Sequence, residues 1–136
     1  MQIDVDFPGG VRVDAHFGQF LVHTDQTVDD GGQGSAPSPF DLFLAATASC
    51  AGFYVVSFCQ QRGIDGTGVH LVQRLEIDPG TGHVVKILIE IQLPADFPDK
   101  YRAAVVRAAG QCTVKKHLEH PPQFEITIGL RESALI

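Results

Sequence analysis

The chain has 136 residues, 44% of them hydrophobic and 19% charged, with a formal net charge of −6. That length suits one domain spanning 1–136 with a core that needs no disulfide staples. Among ten basic residues only Lys115 and Lys116 are adjacent, so the acidic balance argues against a nucleic-acid partner. Three cysteines, an odd number, follow a start with no basic leader and no small-residue cleavage site, which predicts a reducing, cytoplasmic setting.

In chain order, "IDVDF" alternates Ile3, Val5 and Phe7 against Asp4 and Asp6, and "VRVDAHF" alternates Val11, Val13, Ala15 and Phe17 against Arg12, Asp14 and His16. Pro8-Gly9-Gly10 between them predicts a hairpin. "QFLVHT" after Gly18 predicts a third strand, and "DQTVDDGGQGSAP" a polar loop over 25–37.

The stretch 38–63, "SPFDLFLAATASCAGFYVVSFCQQRG", predicts a helix of about six or seven turns. Ser38 suits the N-cap, Pro39 the first helical position and Gly63 the stop. Between Phe40 and Cys59 the only charge is Asp41, so the length and composition would also suit a bilayer span. The surrounding segments are patterned as a soluble α+β chain, and Ala, Ser, Thr and Gly fill the middle of the helix. Both features point to a helix packed closely on several sides, with no membrane involved.

"VHLVQRLEID" and "HVVKILIEIQL", joined through "PGTG", predict a long hairpin, the second strand placing Val85, Ile87, Ile89, Ile91 and Leu93 on one face. "FPDKYRAAVVRAAGQ" predicts a second helix with Tyr101, Val105 and Ala108 aligned. Cys112 heads a short helix, "TVKKHLEH", stopped by Pro121-Pro122. "FEITIGL" at 124–130 predicts a last strand.

The candidate chemistry lies in the cysteines. Their spacing is not that of a zinc site, and no Cys-x-x-Cys or His-x-x-x-His pair is present, so no metal or other cofactor is expected. Cys59 lies nine residues from Cys50, which on a helix turns it to the opposite side. It reads as a small core hydrophobe. Cys50 sits among small residues that leave room for a pocket. Cys112 starts a helix, where N–H groups favour a thiolate.

"SPFDLFLAATASC", followed about sixty residues later by "GQCTV", resembles the osmotically inducible protein C and organic hydroperoxide resistance (OsmC/Ohr) family. The similarity extends along most of the chain: three-strand start, long central helix, long hairpin, second helix and final strand. The resemblance implies an α+β fold assembled as an intertwined homodimer, with two central helices back to back. It also implies a thiol-dependent peroxidase of the oxidative-stress response, which reduces organic hydroperoxides and is reset by a dithiol reductant. Carried over by position, Cys50 is the attacking thiol and Cys112 the resolving one. The family's activating groups are an Arg from the N-terminal strands and a Glu ten residues before the first Cys. Arg12 is the candidate for the first. Phe40 occupies the place of the second, with Asp41 the nearest acid.

Two functions follow. In one, the pair reduces an apolar hydroperoxide that lies against Phe40, Phe43, Phe53 and Tyr54. In the other, a non-enzymatic dimer of the same fold binds a small apolar ligand. Both cysteines favour the first and the missing Glu favours the second.

Overall fold

A computed structural model of the chain describes residues 1–131. Three short strands open it: β1 (Asp4–Gly9), β2 (Arg12–Phe17) and β3 (Phe20–Thr24), paired antiparallel in the order β1-β2-β3. Gly9 and Gly10 turn the first hairpin with φ of +139° and +60°, values that side chains rarely tolerate. The register sets Val5 beside Ala15 and Ala15 beside Val22, while Asp6, Asp14 and His23 form a row on the other face. Alternation in sequence thus becomes one apolar and one acidic, His-bearing face. His16 pairs with Asp6 at 3.0 Å and His23 with Asp14 at 2.9 Å on the polar side.

The loop after β3 is organised by a buried acid. Asp25 is 1% exposed, and its carboxylate accepts hydrogen bonds from the Ser35 hydroxyl (2.6 Å) and from the N–H groups of Ser35, Gln26 and Gln33. Its pKa falls to about 2: the Ser35 hydroxyl contributes most, then the N–H groups of Ser35 and Gln26, against an opposing effect of burial, with Gln33 adding less. Gly32 passes so close that a Cβ there would overlap the Gln26 carbonyl.

α1 (Pro39–Gln61) begins with a full capping box: Asp41 N–H donates to Ser38 Oγ (3.1 Å), and Ser38 N–H to the Asp41 carboxylate (3.0 Å). Arg62 caps the far end, and Gly63 follows at φ +63°. Thr47, Ala51, Val55, Phe58 and Cys59 form its buried stripe. Against α1 lie β4 (His70–Ile77) and α2 (Arg102–Ala109), the latter entered through a 3-10 turn at Asp99–Tyr101. β4 pairs antiparallel with β5 (Val84–Gln92). The core joins Val55, Phe58 and Cys59 to Phe97 and Val105, with Leu71, Ile91, Tyr101 and Ala108 packed around them. Arg62 stacks its guanidinium 3.7 Å above the Phe58 ring, closing the bottom of the core. α3 (Thr113–Glu119) crosses α1 further up. Of the two readings of a 23-residue apolar helix, this packing identifies a core helix, although its other faces carry Phe40, Phe53 and Val56 in the open.

One expected element is absent. Residues 121–131 form no strand, and Phe124, Ile126, Ile128 and Leu130 are all at least 88% exposed. A strand exists only through hydrogen bonds to a neighbour, and no strand of the described residues lies beside this segment.

Phe58→Ala should lower unfolding stability by about 3–5 kcal/mol, the usual cost of emptying a core aromatic site. Denaturant titration measures it. Asp25 generates a second expectation. Its depressed pKa means that the stability it contributes is complete above the unfolded-state value of about 4 and is lost as pH falls towards about 2. Urea unfolding at pH 7, 4 and 2.5 should show a steeper acid loss in the native chain than in Asp25→Asn.

Candidate active site

α1 and α3 supply the two cysteines by different means. Cys50 lies midway along α1, half-buried, with Tyr54 one turn further on the same side. Cys112 depends on how α2 ends. Gly110 caps α2, and the N–H groups of Gln111 and Cys112 bond back to the carbonyls of Ala108 and Ala109. This tight reversal drops Cys112 against α1, where it is 2% exposed. There its sulfur is the N-cap of α3, accepting the Lys115 N–H at 3.4 Å, and its thiol faces the Thr47 carbonyl at 4.0 Å. Both thiols are free.

The sulfurs sit in opposite environments. Burial pushes the Cys50 thiol up, but the Val114 N–H, the Cys112 thiol and the Thr113 N–H together outweigh it, and its pKa falls below the ordinary thiol value. For Cys112, burial dominates. The Lys115 N–H opposes it, while hydrogen bonding to Cys50 and the charge on Cys50 add to it, so its pKa rises. The sequence pointed to Cys112 as the helix-start thiolate. The structure reverses this: Cys112 turns inward as the cap, where burial outweighs the amides of Lys115 and Val114, while the Val114 and Thr113 N–H groups lower Cys50. Cys59 lies on the core stripe, its pKa raised by burial against a smaller effect of Arg62.

Between α1, β5 and α3 lies an open cleft of about 890 Å³, walled by Phe40, Phe43, Ile87, Ile89 and Leu118 and reaching Cys112. Phe40 and Phe43 stack there with centroids 5.5 Å apart. Phe53 and Tyr54 are not part of its wall; they meet edge-to-face at 5.2 Å further along α1. Lys115 and Glu119, paired at 2.7 Å, put a polar rim on the cleft. Thr47 at its floor lies 2.7 Å from Gln73 on β4, whose amide donates to the Leu44 carbonyl at 3.0 Å.

The other expected site residues lie elsewhere. Asp41 is engaged with Ser38, which together with the Ser38 N–H depresses its pKa. Arg12 stands at the exposed hairpin, reaching the Gly9 carbonyl at 3.4 Å and that of Pro8 at 3.5 Å. Within one chain neither meets Cys50. Sequence reasoning did not find Thr113 and Val114, although "CTV" at a helix start was the available signal. No group of three or more metal-ligating side chains occurs among the described residues.

Residues 32–127 match the OsmC-like protein family. No functionally curated protein shows significant similarity to the chain. Among solved structures, one from Psychrobacter arcticus, provisionally named an osmotic stress induced and detoxification response protein, is 26% identical, with a TM-score of 0.72 over 85% of this chain and 86% of that one. An organic hydroperoxide resistance protein OsmC from Legionella pneumophila is 19% identical, with a TM-score of 0.53 over 87% and 89%. An OsmC-like hydroperoxide resistance protein from Jannaschia is 18% identical, also with a TM-score of 0.53, over 96% and 93%. The last two likenesses concern the fold alone. With seven-tenths of its length inside the family match and both cysteines on the elements the resemblance required, the chain belongs to the OsmC-like protein family.

Proposed function

We propose that this chain reduces organic hydroperoxides, with Cys50 as the attacking thiol and Cys112 as the resolving one. Membership of a family whose solved neighbours include hydroperoxide resistance proteins supports a peroxidase-like role in general. What carries the specific reading is the meeting of two unlike thiols: Cys112, buried against α1 as the cap of α3, and half-buried Cys50 beside it, whose pKa the Val114 N–H, the Cys112 thiol and the Thr113 N–H lower against burial. A thiolate is the nucleophile, and an ordinary thiol near pKa 8.5 supplies only a few per cent of it at neutral pH.

In the first step the Cys50 thiolate attacks the outer oxygen of the hydroperoxide. The O–O bond breaks, the alkoxide leaves and takes a proton to become the alcohol, and Cys50 becomes a sulfenic acid. Cys112 then gives up its proton and attacks the Cys50 sulfur, releasing water and forming a disulfide. A dithiol reductant restores both thiols by exchange and is itself oxidised to a disulfide. The cleft along Phe40 and Phe43 suits an apolar organic group. Arg12 and Asp41 enter this proposal only through an assembly, since within one chain the first is remote and the second is committed to helix capping.

The assembly we propose is a homodimer. The chain exposes 10634 Å², whereas a compact monomer of 14.7 kDa exposes about 7,000 Å². Part of that excess on each of two chains is enough for an obligate interface. It is concentrated where apolar patterning has no cover among the described residues: Phe7 and Phe20 on the first sheet, Phe53 and Val56 on α1, and alternate residues of 124–130. A second copy is the partner that supplies matching surfaces, including a strand neighbour for 124–130. We place the working protein in the cytoplasm, where thiols stay reduced.

With an organic hydroperoxide, native protein should lose two of its three thiols and gain a Cys50–Cys112 disulfide, with Cys59 still reduced, as read by thiol counting and peptide mass. Cys50→Ser should consume no peroxide quickly, and Cys112→Ser should stop at, then over-oxidise beyond, the sulfenic acid. Equal reactivity of Cys50 and Cys59 would favour the alternative, a ligand-binding dimer without turnover. Sedimentation at micromolar concentration should give twice 14.7 kDa; a single-chain mass would sink the assembly.

A further inference from the structure

Besides the Cys112 thiol, what lowers the Cys50 pKa is the pair of backbone N–H groups of Thr113 and Val114, in the first turn of a helix of seven residues. Such a helix does not hold itself in place. The contact between the Cys112 thiol and the Thr47 carbonyl, at 4.0 Å, is long and weak. The short side-chain hydrogen bond between α1 and α3 is that of Tyr54 Oη with Thr113 Oγ1, at 3.0 Å. Tyr54 stands one turn after Cys50, and Thr113 is one of the two residues whose N–H groups lower the Cys50 pKa. The Phe53 ring braces Tyr54 edge-to-face.

We infer that Tyr54 is a positioning residue: its hydroxyl, bonded to Thr113, holds the start of α3, with the N–H groups of Thr113 and Val114, beside Cys50. This rests on Cys50 being the attacking thiol, and it gives Tyr54 a part other than contact with the substrate. A hydrogen bond to sulfur is lost when the donor drifts by about an ångström, so losing the tether frees the thiol to bind its proton more tightly. No charged side chain substitutes for it. On α3, Lys115 is paired with Glu119 and Lys116 with Gln111, and the His117 ring is bonded to the Thr113 carbonyl. On α1, Asp41 is held by Ser38. Arg102 next to α2 pairs with Asp99, and Arg74 on β4 with Glu90. Burial, two N–H groups and Cys112 make up the surroundings that act on Cys50.

The test needs no peroxide, so its failure is separate from failure of the peroxidase reading. Alkylation of Cys50 by iodoacetamide is followed from pH 5.5 to 10, with peptide mass assigning the site. Tyr54→Phe and Thr113→Val should each alkylate about three- to tenfold more slowly than native protein at pH 6.5 and converge with it near pH 10, because only the thiolate fraction changes. The double variant should be no slower than either single one, and Thr113→Ser, which keeps the hydroxyl, should retain the native profile. Native profiles in both single variants overturn the inference. So does a fall that is equal at every pH, which would mean altered access. Should Tyr54→Phe fail to fold, the contrast between Thr113→Ser and Thr113→Val, at an exposed position, decides the matter alone.

Discussion

The constraint on which the rest depends is the apolar character of α1 around its whole circumference. A helix that is polar on one side needs one packing partner; this one needs several. The stripe through Val55, Phe58 and Cys59 is satisfied by α2 and the β4–β5 hairpin. A second flank receives α3 and opens the cleft. The remaining surface has no cover among the described residues. The capping box at Ser38 and Asp41 fixes where this helix begins, and so fixes which residue faces which neighbour. A start displaced by one residue would turn every side chain by about 100° and carry Cys50 away from Cys112.

Within that frame the site exploits a division of labour at one helix start. Cys112 gives its sulfur to cap α3 and is buried for it, while the Val114 and Thr113 N–H groups lower the pKa of Cys50. Two thiols of equal intrinsic acidity thereby become unequal through burial and backbone N–H groups, with no cation of the described residues in the arrangement. This bears on the missing Glu. A carboxylate at position 40 would orient a guanidinium, but Phe40 instead lines the cleft with Phe43.

Local chemistry explains what was legible in the sequence. Ser38-Pro39 and Gly63 bounded α1, Gly9-Gly10 marked the first hairpin, and the alternation in 84–92 gave a strand, because caps, turns and period are properties of neighbouring residues. The opposite faces of Cys50 and Cys59 followed from helical pitch. The strand at 124–130 did not form, since alternation specifies a surface and leaves the partner undetermined. Of the expected aromatic wall, Phe40 and Phe43 line the cleft while Phe53 and Tyr54 pack on each other, a difference of direction along one helix that composition does not encode. The acidity of Cys112 was misjudged for a similar reason. A residue at a helix start either receives the amides or turns inward to cap, and the turn at Gly110–Gln111 decides which.

The sealing of Cys59 has a consequence for the chemistry of the whole chain. Three thiols permit three pairings on paper, but Cys59 is 2% exposed on the core stripe and turned from the other two. Isomerisation among disulfides requires a third sulfur within reach of the first two, and the core denies it. If Cys50 and Cys112 pair as proposed, theirs is the single intramolecular disulfide open to the described chain, and its reversal retraces one two-electron step. A redox couple of that kind has one midpoint potential and no memory of how often it has been cycled.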